Sequence, residues 1–252
     1  MTDHEQPLVT HLIELRNRLL RSVLLVLVLF VSLFYFANDL YLILVKPLSG
    51  LLPENGAMIA TGVASPFLVP FKLTFVLAVL LAVPYLLHQI WAFISPGLYQ
   101  NEKKFAVPLL VSSIVLFYAG ISFAYFVVLP LVFGFFTAAG PEGINFMPDI
   151  SNILDFILKI FFAFGVAFEI PIATFLMVLS GMTTVAALTE KRPYIFVGCF
   201  VVGMLVTPPD VFSQTILAVP MWLLFEAGVL ASRTIKKTRH DGDDSDDETP
   251  AP

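Results

Sequence analysis

The sequence has a single cysteine, Cys199, and four histidines, His4, His11, His88 and His240, among 252 residues. One thiol builds neither a disulfide framework nor a thiolate metal site, and the apolar run around Cys199 makes it a small packing residue. The histidines show no spacing with Asp or Glu that suits a metal, so no metal and no cofactor are expected. Glycine-rich phosphate loops and nucleophile elbows are missing too, which speaks against a nucleotide-driven pump or an intramembrane protease and for a chain that is not an enzyme. Charge is sparse, at 13% of residues, and no nucleic-acid partner is expected. The net charge of -5 belongs mostly to the last dozen residues, where Asp241, Asp243, Asp244, Asp246, Asp247 and Glu248 crowd together. No internal repeat appears, so the two-halves architecture of many secondary transporters lacks support.

Apolar side chains are what the sequence has in abundance: 58% of residues are hydrophobic, and 25 are Phe. A bilayer-crossing helix needs about 20 apolar residues, and runs near that length recur between short polar stretches. Six segments stand out: Leu19 to Phe36, Phe71 to Ile94, Val107 to Phe136, Phe156 to Leu179, Tyr194 to Val206 and Thr215 to Leu230. The first follows Asp3, Glu5 and Glu14 without a small-x-small cleavage pattern, so it reads as an anchor rather than a signal peptide. The expectation is an all-α polytopic membrane protein with six transmembrane helices, the last two short. Residues 1–18 form a cytoplasmic amphipathic segment, 19–232 the six-span membrane domain, and 233–252 a basic-then-acidic disordered tail. Pro84, Pro108, Pro130, Pro171 and Pro220 fall within the spans and predict kinked helices.

Basic residues set the orientation. Arg16, Arg18 and Arg21 flank the start of the first span, Lys103 and Lys104 follow the second, Lys191 and Arg192 follow the fourth, and Arg233, Lys236, Lys237 and Arg239 follow the sixth. That bias puts both termini and the even-numbered loops in the cytoplasm. Between the first two spans, Leu40 to Val45 and Met58 to Val63 suggest short helices on the outer membrane surface.

Three carboxylates are candidates for chemistry. Glu14 lies in "HLIELRNRLLR", residues 11–21, where an i,i+4 pair with Arg18 is the simplest role for it. Glu102, in "FISPGLYQNEKKF", sits in a first helical turn, where the helix dipole favours a carboxylate. Both lie on the cytoplasmic side and could accept guanidinium groups in bidentate pairs. Glu169 lies inside "FFAFGVAFEIPIATFLMVL", residues 161–179. An acidic side chain at that depth costs about 2.5–3.5 kcal/mol on the insertion scale, so it should face protein or water, and a functional site is the default hypothesis.

Six stretches in order, "HLIELRNRLL", "SPF" at 65–67, "FISPGLYQNEKK", "FGVAFEIP", "KRPY" at 191–194 and "TPPDVFSQ" at 207–214, resemble the TatC family, the multispan receptor of the twin-arginine protein translocase. The resemblance runs from about Pro7 to Ser232. It implies a six-span, glove-shaped, concave bundle in the bacterial inner membrane with both termini cytoplasmic. It also implies a receptor for twin-arginine signal peptides of folded proteins, which assembles with single-span TatA-type and TatB-type partners, self-associates in the receptor complex, and works in export driven by the proton-motive force. On matching positions, Glu14 and Glu102 would bind the paired arginines, with Arg16, Phe93 and Leu98 shaping the patch. Thr207 and Gln214 would bind a partner, Pro47 and Asp210 would support external loops, and Glu169 would present an intramembrane polar group. The alternative is a small ion-coupled secondary transporter using Glu169.

Overall fold

The computed structural model describes residues 6–49, 58–94, 106–138, 147–207 and 210–243. Those residues are almost wholly helical: α1 Gln6–Phe34, α2 Ala37–Ser49, α3 Ser65–Ile94, α4 Ala106–Phe123, α5 Leu129–Ala138, α6 Ile150–Ala167, α7 Ile170–Leu179, α8 Val185–Glu190, α9 Arg192–Val206 and α10 Val211–Asp243. Among the described residues, five stretches are long and apolar enough to cross a membrane: Ile13–Phe34, Ser65–Ala92, Val107–Ala138, Ile150–Leu179 and Val211–Thr234. A sixth, Arg192–Val206, is apolar but has only 15 residues, a rise of roughly 22 Å against the usual 30 Å of hydrocarbon. The chain is therefore an all-α, multi-pass membrane protein.

Two compact bodies make up the chain. The first comprises Met1–Leu98, Phe105–Ile114 and Phe133–Leu158, the second Tyr99–Lys104, Val115–Val132 and Lys159–Pro252. In the first, α1 lies along α3. Phe30 meets Phe71 and Phe75 edge-on with centroids 5.1 and 5.9 Å apart, the geometry that the aromatic quadrupole favours. Leu73, Thr74 and Ala78 are fully buried, and Thr74 satisfies its hydroxyl on the Pro70 carbonyl at 2.7 Å.

At the α2 end of this body Asp149 ties the loop before α3 to the start of α6. Its Oδ1 accepts from the N–H groups of Ser151 and Asn152, capping α6, while its Oδ2 accepts from the N–H and hydroxyl of Thr61 at 2.8 and 2.6 Å. The Thr61 hydroxyl above all, followed by the Thr61 N–H, brings the carboxyl from an ordinary 3.8 down to about 2. Ile59 pairs with Asp149 as a lone β-bridge, with its N–H on the Pro148 carbonyl at 3.1 Å. Met58–Val63 is consequently not the surface helix its apolar side chains predicted: Ile59 bonds across to Pro148 and Ile150, Thr61 bonds to the Asp149 side chain, and Gly62 and Val63 bend into the turn before α3. The helix expected at Leu40–Val45 is there, within α2.

The second body packs α10 against α7 and α9, with Phe225, Val229 and Leu188 at its centre. Close approach there depends on Gly228, where a Cβ would lie 2.0 Å from Thr174 Oγ1 and 2.8 Å from the Pro171 Cα. Gly120 does the same for α4 and α6, since its Cβ would stand 2.6 Å from the Phe164 carbonyl oxygen. Past Gly120 the third span widens by one residue: the Leu129 N–H reaches back to the Ala124 carbonyl. Pro130, which has no N–H to give and crowds the preceding turn, follows at once.

The final helix is longer than its apolar core. The apolar run spans Thr215 to Leu230, but α10 begins at Val211 and its backbone stays helical to Asp243. Pro220 sits inside it without ending it. The last helix is thus long enough to span, and only α9 is short.

Candidate functional site

Glu14 lies on the exposed face of α1, seven residues ahead of Arg21 in a run of cations. Arg18, one turn on, donates to Glu14 Oε1 from Nε at 3.0 Å and from Nη2 at 2.5 Å. The third hand of the guanidinium, Nη1, donates to Gln89 Oε1 of α3 at 2.9 Å. Ile13, Glu14, Asn17, Arg18 and Arg21 line an open recess of about 420 Å³. Arg16 is exposed and donates to Asn17 Oδ1 at 3.3 Å. The expected i,i+4 pair between Glu14 and Arg18 is therefore present, and its anchor on α3 is an addition that sequence spacing cannot reveal.

Of the remaining residues assigned to this patch, Glu102 and Leu98 lie outside the described residues. Phe93 belongs to the last turn of α3, but its side chain lies outside them too, as does that of Pro47 in α2. What the structure places at this site is Glu14 and Arg16.

Glu169 occupies a break between two helices. The fourth span is α6 and α7 joined through Phe168–Glu169, with Glu169 as the residue before α7 and Pro171 in its first turn. Proline at that place has no N–H to offer the Ala167 carbonyl, and the Glu169 N–H turns instead to Val166 at 3.0 Å. The side chain is half-buried at this bend. The bent helix is expected from Pro171, and the bend coincides with Glu169, the one carboxylate of the apolar run 161–179.

Thr207, Asp210 and Gln214 come together where α9 turns into α10. Thr207 is buried, with its hydroxyl on the Gly203 carbonyl at 2.9 Å. Gln214 Nε2 donates to the Phe200 carbonyl at 2.7 Å, and its chain packs directly on Gly203. Asp210 Oδ1 accepts from the Ser213 N–H at 2.7 Å, capping α10 and starting it early. Buried Ser213 Oγ and Asp210 Oδ2 have no hydrogen-bond partner among the described residues. This end of the hairpin thus gathers several polar groups that are buried or half-buried.

Two further acidic residues hold elements together. Glu226, inside the last span, pairs with Arg192 at the start of α9 at 2.6 Å, with side chains 18% and 35% exposed. The rule that singled out Glu169, an ionisable group within an apolar run, applies to Glu226 equally and would have found it. Asp149 was the second, and its signal was an acidic residue directly before a helical apolar pattern.

A family model described as Sec-independent protein translocase protein (TatC) matches residues 10–220. The chain is 61% identical over 235 residues to the Sec-independent protein translocase protein TatC of Azotobacter chroococcum mcd 1, covering 93% of this chain and 92% of that one. To the protein of the same name from Escherichia coli strain K12 it is 56% identical over 228 residues, covering 90% and 88%. Among solved structures, a twin arginine translocase receptor, TatC, superposes with a TM-score of 0.79 at 35% identity, over 89% of this chain and 98% of that one.

Proposed function

The chain belongs to the TatC family, and from that membership we infer that it is the multispan receptor subunit of a twin-arginine translocase. Its work is protein transport across a membrane. It binds the twin-arginine signal peptides of folded proteins and assembles with TatA-type and TatB-type single-span partners, and with further copies of itself, for export driven by the proton-motive force. It lies in the bacterial inner membrane with both termini in the cytoplasm, it catalyses no covalent chemistry, and it needs no cofactor.

The observation that carries this reading is the continuity of the family match over nearly the whole membrane domain, with Glu14 exposed within it. A carboxylate at an exposed helical position among cations offers two acceptor oxygens to a planar guanidinium, a fit that an ammonium cannot copy. Glu14 and Glu102 are the acceptors for the two arginines, with Arg16, Phe93 and Leu98 around them. Thr207 and Gln214 form part of a partner-binding groove, a role supported by their convergence with Asp210 at one end of the α9–α10 hairpin. Pro47 and Asp210 support the external loops. Glu169 presents its carboxylate at the bend of the fourth span to a helix that arrives later. An ion-coupled transporter built on Glu169 has no corresponding support from family or repeat.

Site-specific crosslinking of a twin-arginine signal peptide to the inserted protein tests the assignment. Glu14→Ala and Glu102→Ala should each abolish the crosslink at normal membrane insertion. Undiminished crosslinking in both variants removes the two residues from the recognition site.

A further inference from the structure

The group that sits on Glu14 within this chain is itself an arginine. Arg18 reaches Glu14 Oε1 through Nε and Nη2, and its Nη1 is held by Gln89 Oε1 from another helix. Arg18 is 23% exposed and Glu14 45% exposed, so the carboxylate stands open to an incoming chain while the guanidinium lies against the body of the protein. An exposed i,i+4 ion pair is weak and gives way readily. Here a second anchor 71 residues away fixes the orientation of the fork, which lowers the entropy lost in keeping it on Glu14.

We propose that Arg18, positioned by Gln89, is an internal stand-in for the signal-peptide arginine and sets the threshold that a peptide must exceed to occupy Glu14. This inference rests on Glu14 being a signal-peptide acceptor. Competition of this kind raises the apparent Kd of every ligand by the same factor. Twin-arginine ligands keep a Kd below the working concentration and stay bound, whereas the Kd of weaker ones, a lysine pair or a lone arginine, rises above it and they are lost. The stand-in also keeps Glu14 neutralised among Arg16, Arg18 and Arg21 when no peptide is present. Tethering to Gln89 holds Arg18 within reach of Glu14 during occupancy, so it retakes the carboxylate as the peptide is handed on.

The test is equilibrium binding of a fluorescent twin-arginine signal peptide to the full-length protein in lipid nanodiscs, with Arg18→Gln, Gln89→Ala, their double variant and Glu14→Ala. Arg18→Gln should tighten binding by about twofold or more, the factor that corresponds to releasing an i,i+4 pair. Gln89→Ala, which changes no charge, should tighten it in the same direction and add nothing once Arg18 is gone. Unchanged affinity in Gln89→Ala alongside tighter binding in Arg18→Gln reduces the effect to bulk charge and overturns the proposal, as does weaker binding in either single variant. Loss of binding in Glu14→Ala keeps the underlying recognition reading intact whichever way the Arg18 variants fall; full binding in Glu14→Ala defeats that reading instead.

Discussion

At the scale of single residues, three carboxylates do three different jobs, and their surroundings explain which. Glu14 is exposed and shares its charge with an arginine, Asp149 is spent on four donors, and Glu226 is enclosed with Arg192. Asp149 gives a pH prediction whose sign is fixed. Its carboxyl is lowered to about 2 from 3.8 in the folded protein, so the stability it supplies is complete above the higher value and disappears as pH falls through the lower one. Asp149→Asn should flatten the acid limb of the thermal-stability profile between those two values, while leaving the profile above pH 5 parallel to that of the parent, as followed by thermal unfolding in detergent. An unchanged acid limb would assign the hold on Thr61 to the backbone alone. Local spacing made the Glu14–Arg18 pair legible, because i,i+4 contacts follow from helical geometry. The Gln89 anchor and the Arg192–Glu226 pair were not, because each joins residues of different helices.

Among the elements, proline and glycine mark where the helices bend and where they touch. Pro171 signalled the break of the fourth span, and Pro130 follows the widened turn at Ala124–Val128. Pro220, by contrast, leaves α10 continuous, since a proline costs a span only what neighbouring groups cannot make good. Segment lengths were legible where apolar content falls at the true helix end. They were not legible for α10, where Asp210 starts the helix ahead of the apolar core and a charged stretch continues it beyond. The non-helical course of Met58–Val63 is illegible for a related reason: Ile59 pairs with a single residue some ninety positions away, and no local pattern announces it. Glycine contacts give the test at this scale. Gly120→Ala should destabilise by about 1–3 kcal/mol through overpacking against the Phe164 carbonyl. Gly134→Ala, with nothing within 4 Å of the new methyl, should be neutral or stabilise by up to about 1 kcal/mol through helix propensity. Thermal unfolding of both variants checks the contrast, and equal effects would mean that α4 and α6 do not depend on that approach.

For the whole molecule, composition and charge bias alone reach a multi-pass helical membrane protein, and ordered motifs reach the family. The proposed function draws on three separate places: the exposed carboxylate of Glu14 on α1, the half-buried Glu169 at the break between α6 and α7, and the polar α9–α10 turn with Thr207, Asp210 and Gln214. That division predicts separable defects. Glu169→Ala should leave crosslinking to a signal peptide intact and reduce transport, whereas lost peptide binding at normal insertion would place Glu169 in recognition instead. The measurement that bears most directly on the account is export of a folded twin-arginine reporter by cells whose own multispan translocase subunit has been replaced by this chain, together with its single-span partners. Export should be restored, and should vanish when the reporter's arginine pair becomes Lys-Lys or when Glu14 becomes Ala. A stably inserted chain that restores no export, or one that exports the Lys-Lys reporter equally well, would contradict its role as a twin-arginine receptor.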